Sequence, residues 1–257
     1  MILLGSIVSK MMNGFFEYLG ITKKATRRQV IAACVGGAVA VGASLLGFIP
    51  VLKRWKPRLR PPGSLSEHDF LSSCIKCGQC VQVCPVEAIK LADIGDGFGI
   101  GTPYIEPRMQ ACDFSCDAVQ CILSCPTGAL SPKTKKKEDV RIGVAQFVRP
   151  EACRARKGKG LHGAARGQQF RGRLRYAEIS RWKPQPVATH NYQIARCDLC
   201  VRHCPIEGAI TLESFGHHGR KTPVIHQDRC VGCGVCEMIC PEEPSCIEIQ
   251  PAVLREA

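Results

Sequence analysis

Four closely spaced cysteines followed by a proline constrain the fold of this chain more than any other feature. They are Cys74, Cys77, Cys80 and Cys84, and the proline is Pro85. The spacing C-x2-C-x2-C-x3-C-P is typical of bacterial ferredoxins, in which three neighbouring thiolates bind one 4Fe–4S cluster and the fourth binds a different one. A run of this kind therefore predicts a second run elsewhere in the chain.

Three further cysteine runs follow, each ending in Cys-Pro. The second has slightly longer spacings, the fourth repeats the spacing of the first, and the third is one cysteine short. We assign Cys153, upstream of the third run, as its missing ligand. The predicted ligands are Cys74, Cys77, Cys80, Cys84, Cys112, Cys116, Cys121, Cys125, Cys153, Cys197, Cys200, Cys204, Cys230, Cys233, Cys236 and Cys240. These sixteen thiolates match four 4Fe–4S clusters.

Other uses of the cysteines fit the spacing less well. Disulfide bridges are disfavoured because neighbours two residues apart, in runs closed by Cys-Pro, make a poor bridging framework. Zinc ribbons use two C-x2-C pairs for each metal rather than triplets followed by C-x3-C-P. A mixed set, in which one site is degraded or holds a three-iron cluster, is the remaining alternative.

The order of the runs predicts how the clusters share them. If neighbouring runs exchange their fourth cysteines, each cluster takes three ligands from one run and one from its neighbour. The predicted sets are Cys74, Cys77, Cys80 and Cys125; Cys84, Cys112, Cys116 and Cys121; Cys153, Cys197, Cys200 and Cys240; and Cys204, Cys230, Cys233 and Cys236. Pairing of the first run with the fourth, and of the second with the third, is the open alternative.

Two cysteines remain outside these sets. A small residue and a short apolar strand follow each Cys-Pro, and Cys246 stands where the other copies have Ala88, Ala129 and Ala209. We therefore interpret Cys246 as a buried small side chain rather than a ligand. Cys34 lies in an apolar N-terminal stretch and is interpreted as an apolar residue facing lipid or a partner.

The predicted fold class is α+β, with two bacterial-ferredoxin-like dicluster modules after an N-terminal transmembrane helix. The first module spans residues 65–132 and the second spans 133–250. A stiff linker at 53–64 precedes them because Arg60-Pro-Pro-Gly63 cannot continue a helix, and a tail follows at 251–257. Within this frame we predict a helix at 65–71 and a strand at 142–148.

The N-terminal region combines an arginine pair with an apolar stretch. Residues 1–29 include Arg27 and Arg28, and residues 30–52 contain no charged side chain. A stretch of this length reaches across a bilayer, and the arginine pair before it resembles a twin-arginine export signal. This predicts an uncleaved anchor in the cytoplasmic (inner) membrane with the clusters on the periplasmic side. In the alternative, the arginines only anchor an ordinary helix by the positive-inside bias.

Most of the net charge of +13 lies in one segment, residues 154–196. This segment contains 11 Lys and Arg residues and a single acid, Glu178, and it shows no clear apolar period. We interpret it as a basic insertion that forms a long surface loop and contacts anionic lipid or an acidic partner. A solvated loop that only aids solubility is the alternative. Nucleic acid is disfavoured because base-stacking aromatic residues are sparse in this segment.

Taken together, these motifs resemble the NapG/MauM family of ferredoxin-type proteins. The resemblance covers residues 60–248 and includes the cysteine runs and the segments 60–63, 99–104 and 142–145. It implies four 4Fe–4S clusters, twin-arginine export and work beside a polytopic membrane ferredoxin-type partner. In the nitrate branch of the family, this pair passes electrons from quinol toward a periplasmic reductase. One departure is that 43 residues, 154–196, separate Cys153 from the C-x2-C that follows it.

The sequence therefore predicts an electron-transfer subunit rather than an enzyme, with no catalytic residue of its own. Its expected partners are the membrane ferredoxin-type protein and a periplasmic redox enzyme or cytochrome, in a respiratory or methylamine-type system. The alternative is an accessory or maturation factor for a periplasmic redox enzyme that uses its clusters structurally.

Overall fold

The computed structural model describes residues 27–46, 57–116, 119–166, 190–216 and 219–252. The chain divides into two compact units, Met1–Lys53 and Arg54–Ala257. The boundary separates the N-terminal region from everything that carries the cysteine runs.

Helix α1 (Arg27–Leu46) is the described part of the first unit. Its side chains from residue 31 to residue 45 are exposed, including the apolar Ile31, Val35 and Val39. Among the residues described, no helix combines the length and the apolar character needed to cross a membrane. The expected transmembrane segment at 30–52 is thus unsupported by the structure, and its last six residues, 47–52, lie outside the described ranges.

The second unit consists of short elements joined by turns. Its α-helices within the described ranges are α2 (Glu67–Ser73), α3 (Gln79–Gln82), α4 (Gln120–Leu123), α5 (Leu199–Arg202) and α6 (Val235–Met238), and short 3-10 helices span Ile94–Asp96 and Lys137–Asp139. Its strands there are β1 (Ile89–Leu91), β2 (Pro103–Ile105), β3 (Gly143–Phe147), β4 (Leu161–Ala164), β5 (Asn191–Ile194), β6 (Ile210–Ser214), β7 (Lys221–Ile225) and β8 (Ile247–Pro251). They pair as antiparallel two-stranded sheets, β1 with β2, β3 with β8, β4 with β5 and β6 with β7.

The structure contains the predicted repeat, in which a short strand or bridge follows each Cys-Pro. Strands β1, β6 and β8 each begin within seven residues of a Cys-Pro, and Leu130 makes the corresponding isolated bridge with Ser64. The strand predicted at 142–148 is confirmed as β3. The helix predicted at 65–71 is confirmed, shifted by two residues, as α2, and the Ser66 hydroxyl accepts a hydrogen bond from the Asp69 amide at its first turn.

Tight turns set the short helices beside the cysteines. Helices α3, α4 and α6 each follow a left-handed residue, with φ of 75° at Gly78, 50° at Val119 and 89° at Gly234. A Cβ on Gly234 would stand 2.4 Å from Pro107 of the first module, so a larger residue here would push the modules apart. Helices of four residues do not persist alone and depend on their packing.

The two modules share one apolar core. Buried side chains of both, among them Ile89, Ile122, Val140, Val231 and Ile249, form a single cluster. The backbone of Ile142 at the start of β3 also bonds to Val231 after the first cysteine of run four, with 2.9 Å between N and O. The described residues between 57 and 252 therefore pack as one body, in which both modules contribute to the main core.

The segment predicted as a linker packs into this body from residue 57 onward. Leu59 forms a bridge with Ile105, and Arg60 is only 5% exposed. The Arg60 guanidinium pairs with Glu67 at 2.5 Å and donates to the Pro103 carbonyl oxygen at 2.8 Å. The two prolines stiffen the segment, but the buried arginine docks it on the first module.

Candidate iron–sulfur sites

Site one consists of Cys74, Cys77, Cys80 and Cys125. Burial raises the pKa of the Cys80 thiol to about 12, and the neighbouring charges of Cys74, Cys77 and Cys125 raise this pKa further. The four sulfurs are therefore close enough to interact electrostatically. Cys77 is exposed, so this site reaches the protein surface.

Site two consists of Cys84, Cys112, Cys116 and Cys121. Burial raises the pKa of the Cys112 thiol well above its usual value, and the charges of Cys84, Cys121 and Cys116 raise this pKa further. Three of the four cysteines are buried and Cys116 is half-buried, so this site lies inside the protein.

Site four consists of Cys204, Cys230, Cys233 and Cys236, which line one cavity together with Ala209. Burial raises the pKa of Cys233 to about 12, and the nearby charges of Cys204 and Cys230 add to the increase. The three cysteines of the C-x2-C-x2-C run are buried, and Cys204 closes the set from the neighbouring run.

Site three consists of Cys153, Cys197, Cys200 and Cys240, which line a second cavity. Burial raises the pKa of Cys197 to about 11, with further contributions from the charges of Cys153 and Cys240. The structure thus brings Cys153 to the place predicted for it, although 43 residues separate it from Cys197.

A hairpin closes this insertion. Strand β4 pairs with β5, and below it the Cys197 amide donates to the Lys159 carbonyl oxygen at 3.1 Å. Leu161 and Tyr192 of the hairpin pack with Leu199 and Ile239 beside the site. The expectation of a long surface loop is therefore wrong for both ends of the insertion, while residues 167–189 lie outside the described part.

The donor set fits 4Fe–4S clusters. A buried thiolate without a counter-charge is costly, which is why burial raises these pKa values, and iron coordination supplies the missing positive charge. Backbone amides also point at the Cys-Pro sulfurs: Ala88 N lies 3.3 Å from Cys84 Sγ, and Leu130 N lies 3.5 Å from Cys125 Sγ. Such amides stabilise negative charge on the sulfur.

Within the described ranges, no three His, Cys, Asp or Glu side chains converge closely enough to hold a single metal ion. A lone zinc ion needs each sulfur about 2.3 Å from one point. Four-cysteine 4Fe–4S clusters instead place their thiolates on different irons and so spread them further apart.

The four sites follow one another through the protein. The Cys80 charge acts on Cys121, which links site one to site two, and the Cys200 charge acts on Cys236, which links site three to site four. The Cys112 amide donates to the Cys233 carbonyl oxygen at 3.2 Å, which links site two to site four. The order in space is therefore one, two, four, three.

Two features near site three escaped the sequence-based prediction. Arg108 of the first module donates to the carbonyl oxygens of Glu237, Cys240 and Glu242 around the last Cys-Pro turn. Cys246 is buried as predicted, but its thiol lies against Cys153 and Cys240. A lone arginine carries no spacing signal, and the repeat predicted that Cys246 is buried but not which sulfurs it contacts.

Comparison with known proteins agrees with the cysteine pattern. Residues 73–129 and 195–243 match the model of the 4Fe-4S dicluster domain. Ferredoxin-type protein NapG of Escherichia coli (strain K12) is 35% identical over 232 residues, covering 88% of this chain and 84% of that protein. Methylamine utilization ferredoxin-type protein MauM of Paracoccus denitrificans is 35% identical over 236 residues, covering 89% of both. MauM of Methylorubrum extorquens is 32% identical over 239 residues, covering 90% of this chain and 92% of that protein.

These identities extend over nearly the whole chain, and the matched domain covers fifteen of the sixteen predicted ligands, all except Cys153. The chain belongs to the NapG/MauM family of ferredoxin-type iron–sulfur proteins.

Proposed function

We propose that this protein is an electron-transfer subunit that holds four 4Fe–4S clusters in sites one to four. It passes electrons between a membrane quinol-linked ferredoxin-type partner and a periplasmic oxidoreductase of a respiratory or methylamine-type system. The clusters supply reversible one-electron chemistry, and the chain fixes their order, surroundings and access to partners. The names of the relatives NapG and MauM support the ferredoxin-type role. Because both are equally similar to this chain, they leave both kinds of system open.

The observation that carries the proposal is the continuous series of sites. The hydrogen bond between Cys112 and Cys233 joins ligands of site two and site four directly through the backbone. The two modules also share one apolar core, so the four sites lie in one body rather than in two separate dicluster proteins. Sites one and three are then the two ends of a single path.

The two ends differ in access to solvent. At site one Cys77 is exposed, and its neighbours Ile75 and Leu123 are 64% and 67% exposed. At site three no ligand is exposed: Cys153 is buried, the other three cysteines are half-buried, and the β4–β5 hairpin packs against Cys197. This difference supports site one as the end of the series at which a partner exchanges electrons with the protein.

The proposal places the cluster-bearing unit on the periplasmic side of the inner membrane, with the N-terminal segment as export signal and single anchor. The arginine pair, the uncharged stretch 30–52 and the exposed apolar side chains of α1 support it. Replacing Arg27 and Arg28 by lysine keeps the charge and should abolish export, measured by protease accessibility of a C-terminal tag in spheroplasts. Normal export of the double variant would contradict a twin-arginine signal and favour the alternative, in which the positive charges only orient an ordinary helix in the membrane.

The basic insertion is proposed to contact anionic lipid or an acidic partner. Replacing Arg171, Arg173 and Arg175 by glutamine should slow electron transfer to the partner at low salt while leaving the iron content unchanged. Because salt screens exposed charges, the wild type should converge on the variant as ionic strength rises. Equal rates at every ionic strength would show that the insertion only aids solubility.

A redox titration of the anaerobically purified protein separates electron transfer from a maturation role. A carrier must take up electrons from a quinol analogue and release them to an acceptor repeatedly, with the iron content unchanged after each cycle. A maturation factor with structural clusters would keep its iron but show no exchange with either reagent.

A further inference from the structure

Six cysteines line the cavity of site three. Four are its proposed ligands, Cys236 belongs to site four, and Cys246 belongs to no ligand set. Its side chain is 2% exposed and packs against Cys153, Ala155 and Cys240. It therefore lies beside two of the proposed ligands, one from each cysteine run that contributes to the site.

The backbone holds Cys246 firmly in this position. Its carbonyl oxygen accepts hydrogen bonds from the amides of Val148 at 3.0 Å and Arg149 at 3.2 Å, next to the β3–β8 sheet. Its own amide donates to Cys240 Sγ at 3.4 Å. Ala88 makes the same kind of bond to Cys84 at site two. The sheet thus fixes the thiol against the ligand sulfurs.

The repeat shows what is unusual about this position. The equivalent residues Ala88, Ala129 and Ala209 are each 1% exposed, so a methyl group suffices to fill the space. A thiol fills the same space and adds a hydrogen-bond donor. Among the four equivalent positions in the described ranges, site three alone has this donor.

Ligation defines which sulfur keeps the proton. As cluster ligands, Cys153 and Cys240 are thiolates and have no proton to donate. Cys246 packs against both but stands outside the ligand set, so its S–H group is the donor and its two neighbours are the acceptors.

We propose that Cys246 is a positioning residue whose S–H group donates a hydrogen bond to the ligand sulfurs of site three and so raises the reduction potential there. Reduction adds negative charge that spreads onto the ligating sulfurs, and a donor aimed at a sulfur stabilises the reduced form. The proposal rests on the proposed function, because it requires a cluster at site three.

The test combines loss, rescue and transfer of the donor. Cys246→Ala reproduces the residue found at the three equivalent positions and removes the donor. Cys246→Ser keeps a donor, and Ala209→Cys introduces one at site four. Each protein is purified anaerobically, its iron content is measured, and its clusters are titrated by electron paramagnetic resonance. The signal of site three is identified as the one missing from Cys153→Ala.

Cys246→Ala should keep the wild-type iron content, while its ratio of reduced to oxidised cluster at site three falls about fivefold at a fixed potential. Cys246→Ser should restore most of the ratio. Ala209→Cys should increase the ratio at site four instead.

An unchanged ratio at site three in Cys246→Ala, with full iron content, would mean that the thiol only fills space. Loss of one cluster in that variant would make Cys246 a ligand and also overturn the proposal. A wild-type protein with no cluster at site three would contradict the proposed function itself, and this is visible before any variant is made.

Discussion

Sites three and four each bring four cysteine thiols together, but the chain does so in two different ways. At site four, three cysteines stand in one short run with left-handed turns at Gly232 and Gly234. At site three, a 43-residue insertion splits the run, and the first ligand is returned to the others by the β4–β5 hairpin. A cluster site therefore requires that its ligands meet in space, and strand pairing can replace closeness in sequence.

The surroundings of the two sites differ as well. The cavity of site four is lined mainly by aliphatic residues and glycines. Around site three, Arg166 donates to the carbonyl oxygen of Met238, Arg154 pairs with Glu242 at 2.7 Å, and Arg108 donates to Cys240 O at 2.9 Å. Site three is thus surrounded by arginine hydrogen-bond donors, whose charges are paired with Glu242 and Glu243.

The largest effect should come from the split ligand itself. Cys153→Ala should lose about four of sixteen irons and leave site four intact, because the other ligands of site three cannot complete the set. Cys230→Ala, the matched change, should remove site four and leave site three. Iron analysis with electron paramagnetic resonance distinguishes the two. Full iron content in Cys153→Ala would show that the hairpin delivers no ligand.

The second-largest effect should come from a substitution that weakens the packing of the β4–β5 hairpin. Tyr192 is 6% exposed, and Tyr192→Ala should lower the free energy of unfolding by about 3–5 kcal/mol and release iron first from site three. Ile210→Ala, beside site four, is the control and should cost about 2–5 kcal/mol while releasing iron first from site four. Urea titrations of the loaded proteins, with iron release followed by site, give both values. Equal release from both sites in Tyr192→Ala would contradict a local role.

Removing the tie between the modules should have a smaller effect. The Arg108 side chain is 17% exposed and serves three backbone carbonyls, so Arg108→Gln should cost about 2–3 kcal/mol in a urea titration. Lys90→Gln breaks the more exposed pair with Glu106, at 2.9 Å, and should cost less than about 1 kcal/mol. Equal costs would mean that Arg108 behaves as a surface charge.

The smallest effect concerns one hydroxyl. Tyr192 Oη lies 2.9 Å from His203 Nε2, next to ligand Cys204 of site four. Tyr192→Phe keeps the ring in the core and should cost about 1 kcal/mol in the same titration. A cost as large as that of Tyr192→Ala would assign the role of this residue to its hydrogen bond rather than to its packing.

The parts of the molecule that follow from local spacing were predictable from the sequence. The cysteine runs, the strand after each Cys-Pro and the burial of Cys246 all repeat at fixed offsets, and β3 begins within one residue of its predicted start. The hairpin was not predictable, because its strands are short and the basic residues around them mask any apolar period. The role of Arg108 depends on carbonyls more than 125 residues away, and only the folded chain brings them together.

The most direct test of four clusters in series is the iron and acid-labile sulfide content of the anaerobically purified protein. The sixteen assembled thiols predict about sixteen iron and about sixteen sulfide for each chain. Stoichiometric zinc without acid-labile sulfide, or about eight iron with sites three and four empty, would contradict the account.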